Sequence, residues 1–167
     1  MRTDTAAALD VAEWAAACRG RTRDLLAGLG HAPGLLRTDP GAAVRVLDDR
    51  LAREIPALLD GEEWTRLHTL LTACLGEFLI SVHGARWAWV DDSASPVGGR
   101  WVVTGFTRPP ARRTAAVDVG ALVGDALATE PSVGLTALAD RAERAAGVRV
   151  VRGPRPDVAA RDGRGGA

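Results

Sequence analysis

Apolar residues recur at helical spacing most regularly between residues 60 and 84. For about five turns they follow the i, i+3, i+4, i+7 pattern of one helix face. Asp60 can cap the start of such a helix, and Gly84 suits the left-handed residue that often follows a helix end. The pattern predicts one long helix, with these apolar positions: Trp64, Leu67, Leu71, Cys74, Leu75, Phe78 and Val82.

The segments before this helix also predict helices. Residues 5–29 are rich in Ala and are expected to form one or two helices, followed by a loop that contains Gly and Pro. Another helix is expected to begin at Pro40 with Asp39 as its N-cap, because a proline in the first turn loses no hydrogen bond. Pro56 is expected to kink or end this helix.

The pattern changes to that of strands after Gly84. Two β-prone runs at 85–90 and 100–107 flank a turn-rich loop at 91–99, which predicts a hairpin. Residues 114–119 then form a third short strand or lead directly into a helix.

Two further helices complete the predicted domain. The first spans about 118–129, and the second begins at Pro131 and Ser132 and ends at Gly147. The predicted fold class is therefore α+β, with a helical N-terminal half, a central β-hairpin packed on the long helix, and C-terminal helices. One domain is expected over 1–150, with N-terminal helices at 5–59 and a core at 60–150. The Arg- and Gly-rich segment 153–167 is expected to be a disordered tail.

Composition and charge exclude several functions. The 21 basic residues, all Arg, balance 21 acidic residues, whereas nucleic-acid binders usually carry a clear basic surplus. The chain has no Lys, Asn, Gln or Tyr, which indicates a GC-rich genome such as an actinobacterial one. No run approaches the roughly 20 apolar residues of a membrane span, and the two isolated cysteines suit reduced thiols. We expect a cytoplasmic protein with no membrane association, for which nucleic acid is an unlikely partner.

Four residues are candidates for catalysis. Glu77 falls at the margin of the apolar face of the long helix, so the ordinary expectation is that it extends into water; a catalytic role would need a shifted pKa and a partner. His68 points into the apolar face and is expected to be a hydrogen-bonded core residue. His83 suits a capping role in the last helical turn, and Asp91 suits a turn. No metal-ligand spacing or cofactor motif is present, so no cofactor is predicted.

Gly76 indicates close packing beside the long helix. It lies in a stripe of small residues, and a glycine inside a helix costs about 1 kcal/mol relative to alanine. The simplest reason is that another backbone packs against the stripe, so that the helix is covered on both faces.

Candidate binding residues lie in and beyond the hairpin. Trp87 and Trp89 share one strand face, and a register that pairs Trp89 with Trp101 adds a third indole. Such a face is expected to pack on the long helix, or alternatively to form a stacking platform for a ligand or base. Three basic residues after the second strand could contact an acidic partner: Arg108, Arg112 and Arg113.

A resemblance supports the same fold. The segment "LGEFLISVHGARWAWVDDSASPVGGRWVV", with Gly76, Glu77, Gly84 and Trp87, resembles small bacterial proteins with a domain of unknown function. In those, a helix with an LGE-type segment runs into a Gly-x-x-Trp strand and a hairpin. The likeness covers at most residues 60–145 and implies no activity.

The leading functional hypothesis is a non-enzymatic module of accessory, regulatory or immunity type that binds another protein. The alternatives are a small hydrolase-like enzyme that uses Glu77 with a histidine, and weak nucleic-acid binding through the tail. The oligomeric state is open; self-association is conceivable through the first helix if Trp14 is exposed.

Overall fold

The computed structural model describes residues 4–54, 61–107, 115–130 and 132–148, with the side chains of 4–10 and 51–54 outside that description. Along the chain, helices precede and follow a small antiparallel sheet, so the predicted α+β class is confirmed. The elements are α1 Asp4–Gly28, α2 Leu35–Thr38, α3 Pro40–Glu54, α4 Gly61–His83, β1 Arg86–Asp91, β2 Gly99–Thr104, β3 Ala116–Val117, α5 Val119–Thr129 and α6 Leu135–Ala146.

Helix α4 lies at the centre of the fold. Within the described part of the chain it contacts each of the other five helices and strand β2. Residues 71–77 are all buried, which requires neighbours on more than one face, whereas residues 61–66 are exposed. The predicted central helix is confirmed, and its first turns are exposed to solvent.

Local signals set several helix ends where the sequence predicts them. The Asp39 carboxylate accepts a hydrogen bond from the Ala42 N–H at 2.9 Å, which caps α3 at Pro40. Asp118 caps α5 in the same way, with the Ala121 N–H at 2.8 Å. Gly84 follows α4 with a φ of 64°, a left-handed conformation that glycine adopts without strain.

The sheet has the strand order β1-β2-β3, and both pairs are antiparallel. Trp89 lies opposite Trp101, so the register that adds a third indole to the tryptophan face is the one that forms. The strands begin or end within a few residues of the predicted limits, and β3 shows that the third short strand exists. The loop is closed by a hydrogen bond from Asp92 N–H to the Gly98 carbonyl at 3.0 Å.

The start of α6 differs from the prediction. The helix begins at Leu135 rather than at Pro131 or Ser132. Asp48 on α3 caps this end, because its carboxylate accepts hydrogen bonds from the backbone N–H groups of Leu135 and Thr136. The cap therefore comes from 87 residues earlier in the chain, where no local signal could reveal it.

Several sequence-based predictions lie outside the described residues. They concern Arg108, Arg112 and Arg113, the helix ends at Asp60 and Pro56, and the tail at 153–167. Among the helices within the described residues, none is both long and apolar enough to cross a membrane.

Candidate functional site

Four indole rings meet on one face of the hairpin. Trp89 packs edge-on against Trp101 with centroids 4.9 Å apart, and Trp101 stacks flat on Trp14 of α1 at 5.0 Å. Trp14 also meets Trp87 edge-on at 5.9 Å. Trp87 lies against Gly76 of the long helix α4, on which the tryptophan face was expected to pack, and Trp14 of α1 covers the same face. Trp14 is half-buried in this cluster, so the exposed Trp14 on which self-association through α1 would depend is not present.

The indole of Trp87 explains Gly76. A Cβ at Gly76 would overlap the benzene ring of Trp87. The close neighbour is therefore a side chain from β1 rather than the second backbone that the small-residue stripe suggests. Close packing at this position is confirmed, and the identity of the neighbour is corrected.

Glu77 is buried, with an exposed fraction of 8 %, so the expectation that it extends into water is wrong. Trp87 Nε1–H donates a hydrogen bond to Glu77 Oε1 at 3.1 Å. Burial raises the pKa of the Glu77 carboxyl, while the Trp87 hydrogen bond and the positive charge of Arg19 oppose that shift. A helical wheel places Glu77 at the margin of the apolar face, and α1 covers that margin.

Glu77 also lines a cavity of about 750 Å³ between α1, α2 and α4. Ser81, one turn further along α4, donates its hydroxyl to the Leu36 carbonyl at 3.0 Å, which ties α2 to the cavity wall. The cavity is lined by residues of these helices and of the loop before α2: Arg19, Thr22, Arg23, Pro33, Gly34, Leu36, Arg37, Glu77, Ile80 and Ser81.

The side chains reach the cavity because of helical periodicity. Arg19, Thr22 and Arg23 are spaced i, i+3, i+4 on α1 and so share one face. Glu77, Ile80 and Ser81 repeat this spacing on α4. Two facing stripes, closed at one end by the 33–37 segment, form the site.

The other three catalytic candidates are engaged elsewhere. His68 is half-buried, stacks on Trp64 at 5.0 Å and lies 2.8 Å from the Gly120 carbonyl oxygen through Nε2, consistent with the predicted core role. Asp91 is exposed and accepts a hydrogen bond from Trp89 Nε1–H at 3.0 Å. Among the described residues, no imidazole is hydrogen-bonded to Glu77.

His83 lies in the last turn of α4, where a capping role was expected, but its side chain contacts another helix. Its imidazole is buried, and Nε2 lies 2.7 Å from Oε1 of Glu143 on α6. This contact joins two helices 60 residues apart in sequence, and a single helical segment gives no sign of it.

Two thiols lie close to Glu77. Cys18 and Cys74 are free and buried. Burial is the largest cause that raises the pKa of the Cys18 thiol to about 12 and that of Cys74 to about 11. Both are therefore protonated at neutral pH and belong to the packing beneath the cavity.

The sequence-based analysis missed the arginines of the cavity: Arg19, Arg23 and Arg37. The available signal was weak, an i, i+4 arginine pair beside the apolar stripe of α1. Among the described residues, no group of three or more His, Cys, Asp or Glu side chains is arranged to hold a metal ion. No protein-family model, curated protein or solved structure matches the chain.

Proposed function

We propose that this protein is a non-enzymatic binding module, of accessory or regulatory type, and that its binding site is the cavity between α1, α2 and α4. The observation that carries the proposal is the position of Glu77, a buried carboxyl on the wall of a cavity of about 750 Å³. Ligand sites are commonly about 300–1,000 Å³, mostly apolar, with a few polar groups that fix orientation.

The neighbours of Glu77 favour recognition over proton transfer. Its hydrogen-bond partner is the indole N–H of Trp87. An indole N–H donates a hydrogen bond but does not act as a catalytic acid or base. The thiols of Cys18 and Cys74 are buried and protonated. A carboxyl that is fixed in one orientation by Trp87 suits a hydrogen bond to a bound molecule.

One observation supports the alternative of a hydrolase-like enzyme. A carboxyl with a raised pKa on a cavity wall is a known feature of general acids. That hypothesis requires a second group acting with Glu77, and His68 and His83 are held by Gly120 and Glu143 instead. Turnover of 4-nitrophenyl esters by the wild type, lost in Glu77→Gln, would favour the enzyme.

The binding proposal is tested by placing a large side chain at position 34, so that it obstructs the cavity. Gly34 lines the cavity, has a φ of −89°, and a Cβ on it would meet no atom within 4 Å. The backbone and the Cβ of Gly34→Phe are therefore accommodated, and we expect its ring to obstruct the cavity. Gly28→Phe is the matched control, since Gly28 is exposed, equally free of close neighbours and outside the cavity lining.

A screen of neutral, cationic and anionic fragments by ligand-detected NMR gives the readout. We expect hits on the wild type and on Gly28→Phe that disappear with Gly34→Phe. The proposal fails if no fragment binds, or if the hits persist in the blocked variant.

A further inference from the structure

The cavity carries more positive than negative charge. Three guanidinium groups and one carboxyl line it: Arg19, Arg23, Arg37 and Glu77. Arg19 acts electrostatically on Glu77, whose pKa it lowers against the effect of burial. The lining is net positive whether or not Glu77 is protonated.

Two of these arginines have no carboxylate partner among the described residues. Within the described part of the chain, Arg100 pairs with Asp92 and Asp118 and Arg141 pairs with Glu130, whereas Arg23 and Arg37 form no ion pair. These two residues come from different helices and line the same cavity. When unpaired charges of one sign line a concave site with low-dielectric walls, their electric field is concentrated inside that site.

Guanidinium groups select the chemistry of the ligand. Their planar N–H pairs match the two oxygens of a carboxylate or phosphate, and such charge-assisted pairs are about twice as strong as neutral hydrogen bonds. A ligand with an acidic group is therefore favoured over a neutral or cationic one.

The remaining walls select the rest of the ligand. Pro33, Leu36 and Ile80 give the cavity an apolar surface, which inorganic phosphate would leave uncovered. Glu77 and Ser81 supply oxygen atoms along the α4 wall, and the Ser81 hydroxyl already donates to Leu36. An organic molecule with an apolar body fits this surface, because covering it removes apolar area from water.

We propose that the cavity binds an organic anion, whose carboxylate or phosphate is held by Arg23 and Arg37 and whose apolar body lies against Leu36 and Ile80. This inference rests on the binding function proposed above and names its ligand class. The same chemistry is offered by a free organic acid and by the C-terminal carboxylate of a partner protein.

Matched probes test the charge and the apolar body separately. We would titrate three probes into the full-length protein: 2-naphthoate, its neutral amide 2-naphthamide, and inorganic phosphate. Binding is followed by calorimetry and by protein NMR shifts. 2-Naphthoate should bind at least about tenfold more tightly than the amide, given the strength of charge-assisted pairs. It should also bind more tightly than phosphate, and more weakly as salt is added.

Arginine variants locate the charge. Arg23→Gln and Arg37→Gln should each weaken 2-naphthoate binding by about tenfold, the loss expected for a charge-assisted hydrogen bond. Arg21→Gln is the control. Arg21 lies on α1 between Arg19 and Arg23, is exposed and does not line the cavity. It should leave affinity unchanged while making the same change in net charge.

A peptide arm distinguishes the two sources. A tetrapeptide that ends in leucine, compared with its C-terminal amide, reports whether a chain end enters the cavity; tighter binding of the free acid than of 2-naphthoate indicates a partner protein. Weaker binding indicates a free organic acid.

Two outcomes would overturn the ligand class. They are equal binding of 2-naphthoate and 2-naphthamide, and an equal loss of 2-naphthoate affinity in Arg21→Gln and the cavity variants. After either result the proposed binding function would still stand if neutral fragments bind in the cavity. If no fragment of any charge binds, the binding function itself is refuted.

Discussion

His83 on α4 and Glu143 on α6 form a buried contact, with Nε2 and Oε1 2.7 Å apart and exposed fractions of 3 % for each residue. Removing one partner leaves the other buried and without its hydrogen bond. We expect Glu143→Ala to lower the free energy of unfolding by about 3 kcal/mol. Urea denaturation measures this loss.

The exposed pair of Arg141 and Glu130 is the control for this prediction. Its atoms are 3.6 Å apart and its side chains are 40 % and 56 % exposed. Glu130→Ala should cost less than about 1 kcal/mol, as exposed ion pairs do. Similar losses in the two variants would contradict the importance of burial at His83.

Gly76→Ala tests the fit of the Trp87 ring against α4. Alanine favours helix by about 1 kcal/mol over glycine, but its Cβ would overlap the indole. We expect a net loss of about 1–3 kcal/mol, the usual range for overpacking. Gly20→Ala on α1, where a Cβ meets no atom within 4 Å, should instead stabilise the protein. Thermal melts compare the two, and a raised melting temperature for Gly76→Ala would exclude the overlap.

The Glu77 carboxyl gives a prediction for pH. Its folded-state pKa is raised above the ordinary value of 4.5, with burial as the main cause. Above that ordinary value the unfolded chain releases its proton first, so the group lowers stability progressively until pH passes the raised, folded-state value. Glu77→Gln keeps an oxygen that can accept from Trp87 and does not titrate. We expect the stability of Glu77→Gln relative to wild type to rise as pH increases from about 4.5.

The measurement is the difference in unfolding free energy between the two proteins across pH 4 to 8. Groups common to both cancel in this difference. A difference that stays constant or falls with increasing pH would contradict the raised pKa.

Asp48→Ala tests the cap on α6. The carboxylate accepts from two backbone N–H groups at the start of that helix. We expect a loss of about 2 kcal/mol, at the upper end for N-caps, because the same contact joins α3 to α6. Asp39→Ala removes only a local, exposed cap and should cost about 1 kcal/mol. If chemical denaturation shows a larger loss of unfolding free energy for Asp39→Ala than for Asp48→Ala, this order is refuted.

The thiols of Cys18 and Cys74 should be unreactive in the native protein. Both are buried, and pKa values of about 12 and about 11 keep them protonated at pH 8. With a disulfide reagent that releases a coloured thiolate, we expect negligible reaction of the folded protein and release of two equivalents in denaturant. Rapid reaction of one thiol in the folded protein would show that the reagent reaches it, which would contradict its burial.

Local patterns predicted the parts of the fold whose causes are local. Asp39 and Pro40 begin α3, Gly84 ends α4, and alternation along β1 places Trp87 and Trp89 on one face, because each depends on a few neighbouring residues. The cap from Asp48 depends on a residue far away in sequence and was missed.

The candidate site was predicted only in part, for the same reason. The helical wheel gives the direction of Glu77, but it does not show that α1 covers that side. It identifies Gly76 as a place of close approach without naming Trp87 as the neighbour. Arg23 and Arg37 come to line the same cavity only in the folded chain, so neither stands out along the sequence.

The stacked indoles make the protein its own optical reporter. Trp14, Trp87, Trp89 and Trp101 are linked by centroid distances of 4.9–5.9 Å, close enough for their electronic transitions to couple. The near-ultraviolet circular dichroism should therefore contain a strong signal that depends on the docking of α1 against the hairpin. Since Trp87 Nε1–H is bonded to Glu77 on the cavity wall, a molecule that enters the cavity alters the emission of this cluster. Occupancy can thus be followed by intrinsic fluorescence, without a label.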